Sequence, residues 1–342
     1  FPGADSRYLQ RMSLPTRNPL VIVAAVLALA VPSVAPAQNR PPLSATDIAD
    51  IVTLEKIEDR RDFDATALQR IGTSRHPELR RRAALAIARL YDPRGRDLLR
   101  LMRTETDTAV LATVVWATGQ LVDTSAVEWL DSLLREENTP VGVATEAAGA
   151  FGKIRSSDTR LRLALYLNDA APGPKTAPVV AEALLSIGRH RDRGDIRSIA
   201  RWAASPDVEL RWRAAWALFR PRDPIAVPEL LTLSKDPSPD VRFWAVRGLS
   251  GPRTDSSAVG SGIAEQALME ALASDDRRVQ AEAVRALGTH SDGASLVQLI
   301  LLLDAEDPWI ATFAAEGIGT RGDKARAAIA QLSQTTTAGH PA

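Results

Sequence analysis

The strongest constraint on the fold is a pattern of small and aliphatic residues that recurs eight times along the chain. The clearest copy spans 206–219, and its last residue is taken as the reference position. Successive reference positions are 31, 33, 36, 31, 31, 38 and 31 residues apart. The residue nine positions earlier is always aliphatic, and the residue two positions earlier is always small. This agreement at a nearly fixed period indicates a repeat protein. The reference residues are Ala88, Gly119, Gly152, Gly188, Phe219, Ser250, Gly288 and Gly319.

The spacing within each copy predicts an amphipathic helix. Offsets of nine, five, four, two and one residues before the reference fall on one side of a helix with 3.6 residues per turn. Proline or aspartate stands ahead of the first turn, as Pro77 and Asp207 do, which is typical of helix starts. A shorter helix is predicted before each copy, so one unit is a helix, a turn and a second helix. Because such a hairpin cannot bury its own apolar face, we expect consecutive units to stack.

The sequence therefore predicts an all-α fold, a right-handed α-solenoid of about eight helical hairpins with capping helices at both ends. After a lead-in and N-terminal cap helix at 38–63, the solenoid is expected to span 64–332, followed by a disordered tail at 333–342. Two units are lengthened by insertions at 168–178 and 250–262. We interpret them as surface loops, and the alternative is that they carry binding, as insertions on one face of a solenoid can. The units are expected at 64–94, 95–124, 125–157, 158–193, 194–222, 223–261, 262–292 and 293–321.

The order Val-Arg, two alanines, a small residue, leucine and glycine resembles the HEAT-like repeats of the phycobilisome-lyase type. The resemblance is clearest at 208–219, 241–249 and 279–288, and it covers roughly 64–333. It implies that the second helices of the hairpins line a concave surface. The family arginine is present at three units and absent from five. Arginine is found at Arg80, Arg211 and Arg242, and other residues at Leu111, Ala144, Val180, Gln280 and Ala311.

The N-terminal region has the features of a secretory signal. Residues 1–11 are interpreted as read-through upstream of a start at Met12. Within the predicted signal peptide, 12–37, a positive Arg17 precedes an apolar run at 20–31 and an Ala-Pro-Ala cleavage site at 35–37. The apolar run is shorter than the about 20 residues that span a bilayer, so no stable membrane insertion is expected after cleavage. We expect a periplasmic or secreted protein whose mature chain begins at Gln38.

Composition and motifs favour a non-catalytic protein. The absence of cysteine excludes disulfides, thiolate metal sites and cysteine nucleophiles. The four histidines are dispersed, and the G-x-G-x-x-G string that ends at Gly322 follows a predicted helix rather than a strand, so it does not predict a dinucleotide site. We expect no cofactor, no metal and no catalytic residue. A net charge of zero disfavours nucleic acid as a partner. We expect a monomer.

Two surface features are candidates for binding. Ten arginines lie between Arg70 and Arg103, and we interpret them as solvated helix faces in which Arg80 bridges neighbouring units. The second feature lies three and seven positions before the reference, columns that face away from the predicted core and carry aromatic and basic residues. Tryptophan and arginine often dominate protein interfaces, so these columns predict a partner site. The alternative interpretation is that the rings pack on a neighbouring helix. Its residues are Trp116, Trp212, Trp216, Phe243, Arg247 and Arg285.

The favoured function is an exported, non-catalytic scaffold that binds a protein or peptide in its concave groove. An alternative comes from the stretch 54–61, which resembles the N-terminal half of exported proteins that carry a cyclophilin-type prolyl isomerase domain. No cyclophilin catalytic motif occurs in this chain, so in that case the catalytic domain would be absent from it. A bilin lyase or a DNA glycosylase is disfavoured by the predicted export and by the lack of a basic track.

Overall fold

The computed structural model describes residues 42–191, 195–257, 259–290, 293–322 and 325–326. Within these ranges the protein is all-helical, with eighteen α-helices, three short 3-10 helices and no β-strand. None of the described helices is both long and apolar enough to cross a membrane. The predicted signal peptide and the predicted tail at 333–342 lie outside the described residues, as does most of the segment where the C-terminal capping helix is predicted.

The α-helices form eight consecutive hairpins, which confirms the predicted α-solenoid. The first helices of the hairpins are α2 (Ala65–Gly72), α4 (Gly95–Leu101), α6 (Val127–Arg135), α8 (Ser157–Asp169), α10 (Ile196–Ala200), α12 (Val227–Leu233), α15 (Ser261–Ala271) and α17 (Gly293–Leu301). The second helices are α3 (Pro77–Leu90), α5 (Thr108–Gln120), α7 (Val141–Ile154), α9 (Ala177–His190), α11 (Val208–Phe219), α13 (Pro239–Gly248), α16 (Arg277–Leu287) and α18 (Pro308–Gly319).

Two further helices lie outside this hairpin pattern. Helix α1 (Ala45–Arg60) packs against α2 and α3 ahead of the first hairpin, and Ser44 caps its start by accepting a hydrogen bond from the Asp47 amide. Helix α14 (Gly251–Thr254) is a single turn within the second insertion. Three 3-10 helices complete the described secondary structure, at Thr124–Ala126, Pro224–Ala226 and Leu302–Asp304.

Aspartate caps explain why several second helices begin where they do. The carboxylates of Asp107 and Asp276 each accept hydrogen bonds from two backbone amides of the first helical turn. Asp207 and Asp307 each accept one such bond, from Glu209 and Trp309. A side-chain oxygen at this position satisfies amides that have no partner within the helix.

The second helices approach one another closely because their contact positions hold small residues. A Cβ atom added to Gly119 would lie 2.7 Å from the Ala150 Cα, and one added to Gly152 would lie 2.8 Å from the Ser186 Cα. The reference position of one hairpin therefore faces the position two before the reference in the next. This pairing explains why both columns hold small side chains, with Phe219 at the reference position as the single exception. The first helices contact one another less extensively.

The buried apolar side chains form two clusters along the stack. One cluster spans Leu54 to Leu121 and includes residues from α1 to α5, and the other spans Val115 to Ala325. Trp129 packs against both clusters and so connects them. The alanine column five positions before the reference lies inside these clusters, as Ala214 does with no exposed surface.

Candidate functional site

The basic stretch at the N-terminal end is largely neutralised by ion pairs. Arg80 contacts both carboxylate oxygens of Glu105 in the next hairpin, at 2.6 and 2.9 Å, which confirms the predicted bridge between units. Other arginines of this stretch pair with acids on α1, on their own helix or in the adjacent turn. The pairs are Arg70 with Asp50, Arg81 and Arg82 with Glu78, Arg89 with Glu58, Arg94 with Asp92, Arg100 with Asp97, and Arg103 with Asp123.

The predicted aromatic residues lie on the second helices, where their rings are half-buried rather than free. Trp212, Trp216 and Phe243 all pack against the large core cluster. The Trp216 ring lies over the preceding second helix, since a Cβ added to Gly188 would lie 2.5 Å from the Trp216 Cζ3. Trp116 packs against the N-terminal cluster in the second hairpin, far along the chain from the other two tryptophans.

A cation covers the exposed face of several of these rings. Lys153 Nζ lies 5.2 Å from the centre of the Trp116 ring, and Arg220 Cζ lies 5.1 Å from that of Trp216. Arg213 lies 5.0 Å from the centre of the Trp212 ring, whose Nε1 also donates to Glu209 at 3.0 Å. A cation within about 6 Å of a ring is attracted to its face. The surface of the second helices is therefore a mixture of rings and guanidinium groups.

The structure brings together two of the six predicted residues, Arg247 and Arg285. Both approach the same oxygen of Glu282, at 3.7 and 3.3 Å, and both line one cavity. Arg247 also lies 5.4 Å from the centre of the Phe219 ring and 5.5 Å from that of Trp244. Arg247 and Arg285 are thus joined to residues that the sequence analysis had not selected.

This cavity has a volume of about 530 Å³ and lies where α11, α13, α14 and α16 meet. We call it the arginine cavity, and its charged lining among the described residues consists of four arginines and one glutamate, a net charge of +3. Phe219, Pro252 and Ala286 add apolar surface. The charged residues are Arg222, Arg247, Arg253, Arg285 and Glu282.

The second insertion forms one wall of the cavity, so it is not the free surface loop that the sequence suggested. Arg253 and Thr254 of this segment are buried. The backbone amide of Gly251 donates to the Thr289 Oγ1 at 2.8 Å, and a Cβ at Gly251 would lie 2.3 Å from the Thr289 carbonyl oxygen. The His290 Nε2 is 2.9 Å from the Leu249 carbonyl oxygen. The insertion is thereby fixed against the end of the seventh hairpin.

Arg253 is a buried cation whose hydrogen bonds go to carbonyl groups. Only 3% of its surface is exposed, and its two terminal nitrogens donate to the carbonyls of Gly248 and Phe219. Its Nε has no hydrogen-bond partner among the described residues. Burial, together with the charge of Arg222, lowers the pKa of Arg253 to about 10, although Asp223 acts in the opposite direction. Burial and the charges of Arg191 and Arg247 likewise lower the pKa of Arg220.

A column that the sequence analysis did not use contains part of this site. The position three after the reference holds arginine in four consecutive units. At three of these the backbone is left-handed, with φ between 50° and 54°, as it also is at Tyr91 and Val122. Cations are favoured near helix C-termini, so this column can be explained by local helix chemistry alone. Its arginines are Arg155, Arg191, Arg222 and Arg253.

The fold and this surface define an α-solenoid with a charged and aromatic face, and comparison with known proteins identifies its family. A family model described as HEAT repeats matches residues 65–150, 196–259 and 265–340. The chain belongs to the HEAT-repeat family. No curated protein matches its sequence significantly.

Solved structures that resemble the chain share its fold at low sequence identity. E. coli YibA has 14% identity and a TM-score of 0.55, over 81% of this chain and 98% of YibA. An engineered protein has 21% identity and a TM-score of 0.52, over 85% of this chain and 87% of that one. Kap121p has 14% identity and a TM-score of 0.50, over 85% of this chain and 36% of Kap121p.

No group of three or more His, Cys, Asp or Glu side chains within the described ranges is arranged to hold a metal ion. The partner site stays a prediction; what the structure shows around its residues is a set of charges and rings.

Proposed function

We propose that this chain is an exported, non-catalytic interaction scaffold that binds a protein or peptide on the face formed by its second helices. The observation that carries the proposal is the mixture of rings and guanidinium groups on α11 and α13, next to the arginines of α16. Arginine and aromatic side chains supply much of the binding energy at protein interfaces. Here they are held by cation–ring contacts on packed helices, so binding would require little ordering of side chains.

The packing of the two helix layers supports this choice of face. The second helices contact one another along the stack through small residues, whereas the first helices contact one another less. A stack whose layers differ in this way is expected to curve toward the tighter layer, and the proposal takes the second helices as its inner surface. Kap121p has also been solved bound to Pho4p, and in that complex its TM-score with this chain is 0.50 at 14% identity.

The resemblance of 54–61 to prolyl isomerase proteins gives less support to the alternative function, because the residues there have structural roles. Leu54 and Ile57 are buried in the N-terminal cluster, and Glu58 pairs with Arg89 at 2.8 Å. A cap helix needs these residue types to cover the end of the first hairpin. The scaffold proposal therefore remains the simpler one.

Site-specific photocrosslinking tests the proposed face. A photoreactive amino acid is placed at Gln120 or Thr145 on the second helices, and as matched controls at Leu101 or Ile225, which are exposed on the first-helix side. We expect partner crosslinks from the second-helix positions and few from the controls. Crosslinks that arise mainly from Leu101 and Ile225 would place the binding surface on the other layer.

The export part of the proposal is tested separately, by the location and the N-terminus of the expressed protein. The chain is expressed in a bacterial host with residues 12–342, and the periplasmic fraction is analysed by N-terminal sequencing. We expect mature protein that begins at Gln38. Retention of uncleaved protein in the cytosol would contradict the export part of the proposal and leave the binding part untouched.

A further inference from the structure

The arginine cavity combines a positive charge with a volume much larger than an inorganic ion requires. Four guanidinium groups face one carboxylate, and the volume is about 530 Å³. Two of these groups, Arg222 and Arg253, form no ion pair with any described residue. By contrast, most arginines of the first hairpin are matched by acids. The cavity therefore has more guanidinium groups than carboxylates: Glu282 is the one acid in its described lining, and Asp223 acts on Arg253 without forming an ion pair with it.

The buried position of Arg253 adds an energetic argument. A cation removed from water is costly unless an anion or a full set of hydrogen bonds compensates it. Arg253 has bonds to two carbonyl groups, and its Nε has no partner among the described residues. A bound anion near Arg222, Arg247 and Arg285 would reduce the repulsion between these cations and compensate the buried charge. The α14 segment that carries Arg253 is held in place by its hydrogen bond to Thr289.

The lining also indicates what kind of molecule carries the anion. The Phe219 ring and Pro252 lie beside the arginines, and the Trp244 ring stacks on Phe219 with 6.0 Å between ring centres. Guanidinium forks match the geometry of carboxylates, and apolar walls suit the body of a residue that bears one. Because the cavity is lined by residues of the second helices α11, α13 and α16 and of the turns that follow them, a chain bound on these helices would deliver such a group.

We propose that the arginine cavity binds a carboxylate of an acidic peptide segment, held by Arg247 and Arg285. This inference rests on the proposed scaffold function and names the chemistry of the partner. Without a bound peptide, the Glu282 carboxylate lies 3.7 Å from Arg247 and 3.3 Å from Arg285. It is the group that an incoming carboxylate displaces.

The test uses a fluorescein-labelled peptide in which glutamate alternates with leucine, and the same peptide with glutamine in place of glutamate. Fluorescence anisotropy of the full chain should show binding of the first peptide and little binding of the second. Arg285→Gln should weaken binding about tenfold, because one charge-assisted interaction is lost. Arg277→Gln is the matched control, since it removes the same charge from α16 at an exposed pair with Asp307 and should leave affinity unchanged.

Glu282→Gln is expected to change the affinity for the acidic peptide in the opposite direction. It keeps the size of the side chain but removes the competing carboxylate, so the acidic peptide should bind more tightly. A purely structural role for these residues predicts no such gain. Circular dichroism of each variant checks that the fold is retained.

Three results would overturn the inference. Equal affinities of Arg285→Gln and Arg277→Gln would show that the cavity does not contact the peptide. Weaker binding by Glu282→Gln would contradict the proposed displacement. Binding of sodium phosphate without binding of the glutamate peptide would make the cavity a site for a small ion. Crosslinks from Gln120 and Thr145 that persist in Arg285→Gln would then show that the scaffold function survives while this inference fails.

Discussion

Arg211 and Asp236 are 25 residues apart in sequence, and they join the fifth hairpin to the sixth through two hydrogen bonds of 2.7 and 3.1 Å. The third nitrogen of the guanidinium donates to the carbonyls of Ser205 and Pro206 in its own hairpin turn, at 3.0 and 3.1 Å. One side chain thus closes a turn and bridges two units. Arg80 makes the same set of contacts with Glu105 and its own turn.

The first prediction separates the two roles of this arginine. In the seventh hairpin Gln280 replaces it, and among the described residues its side chain keeps a turn contact alone, to the Ser274 carbonyl at 2.8 Å. Arg211→Gln should therefore retain a turn contact and lose the bridge. We expect a loss of about 2–3 kcal/mol in the free energy of unfolding, because the buried Asp236 loses its cation.

Urea unfolding followed by circular dichroism measures this loss. Arg277→Gln breaks a more exposed pair and should cost clearly less than Arg211→Gln. Equal losses for the two variants would show that the bridge between hairpins contributes no more than a surface pair.

The second prediction concerns the small residues between second helices. Gly152→Ala should destabilise the protein by about 1–3 kcal/mol through overpacking, because the new methyl would lie 2.5 Å from the Ser186 Oγ. Gly142 is on the same helix and has no atom within 4 Å of an added Cβ. Gly142→Ala should be neutral or stabilise by up to about 1 kcal/mol, since alanine favours helix. Thermal unfolding of both variants measures the contrast, and similar shifts would contradict the close approach.

The third prediction uses the contact between Trp216 and Gly188. Trp216→Ala should destabilise the protein by about 2 kcal/mol, because the half-buried ring packs on the preceding helix. Gly188→Ala should also destabilise it, since the added methyl would collide with that ring. In the double variant the methyl occupies space left by the ring, so the combined loss should be smaller than the sum. Additive losses in a double-mutant cycle of unfolding free energies would show that the two residues do not touch.

The fourth prediction is a pH dependence at Glu78. Hydrogen bonds from Arg81 and, more weakly, Arg82 outweigh the effect of burial and lower the pKa of Glu78 from 4.5 to about 2. Because the folded-state pKa lies below the unfolded value, the stabilisation is fully present above about pH 4.5 and is lost as the pH falls toward about 2. Glu78→Gln should therefore be less stable than the wild type at neutral pH, and the difference should shrink across this window.

Urea unfolding at several pH values measures the difference. Glu55→Gln is the control, since Glu55 is 68% exposed and lies 3.8 Å from Arg82. Its effect should be small at every pH, because exposed pairs contribute little. A difference between Glu78→Gln and the wild type that does not change with pH would contradict the assigned pKa.

The sequence determined the hairpins, their number and their stacking columns. Alanine at positions such as Ala214 packs against the adjacent helix, and aspartate at positions such as Asp207 caps the first turn of its own helix. A periodic pattern reports such local requirements directly, because each unit repeats the same contacts with its neighbours.

Only the tertiary structure decided which residues form the arginine cavity. Phe219 is the one large residue at the reference position. Arg253 belongs to the arginine column three after the reference, but it lies in the insertion that lengthens the sixth unit, so its surroundings differ from those of the other arginines in that column. The meeting of Phe219 and Arg253 depends on how α14 folds back against Thr289 of the seventh hairpin. That contact joins two residues that are 38 positions apart in the sequence. It occurs once in the stack, so no repeated position in the sequence predicts it. The burial of Arg253, and with it the charge imbalance of the cavity, follows from that packing and not from the residue types alone.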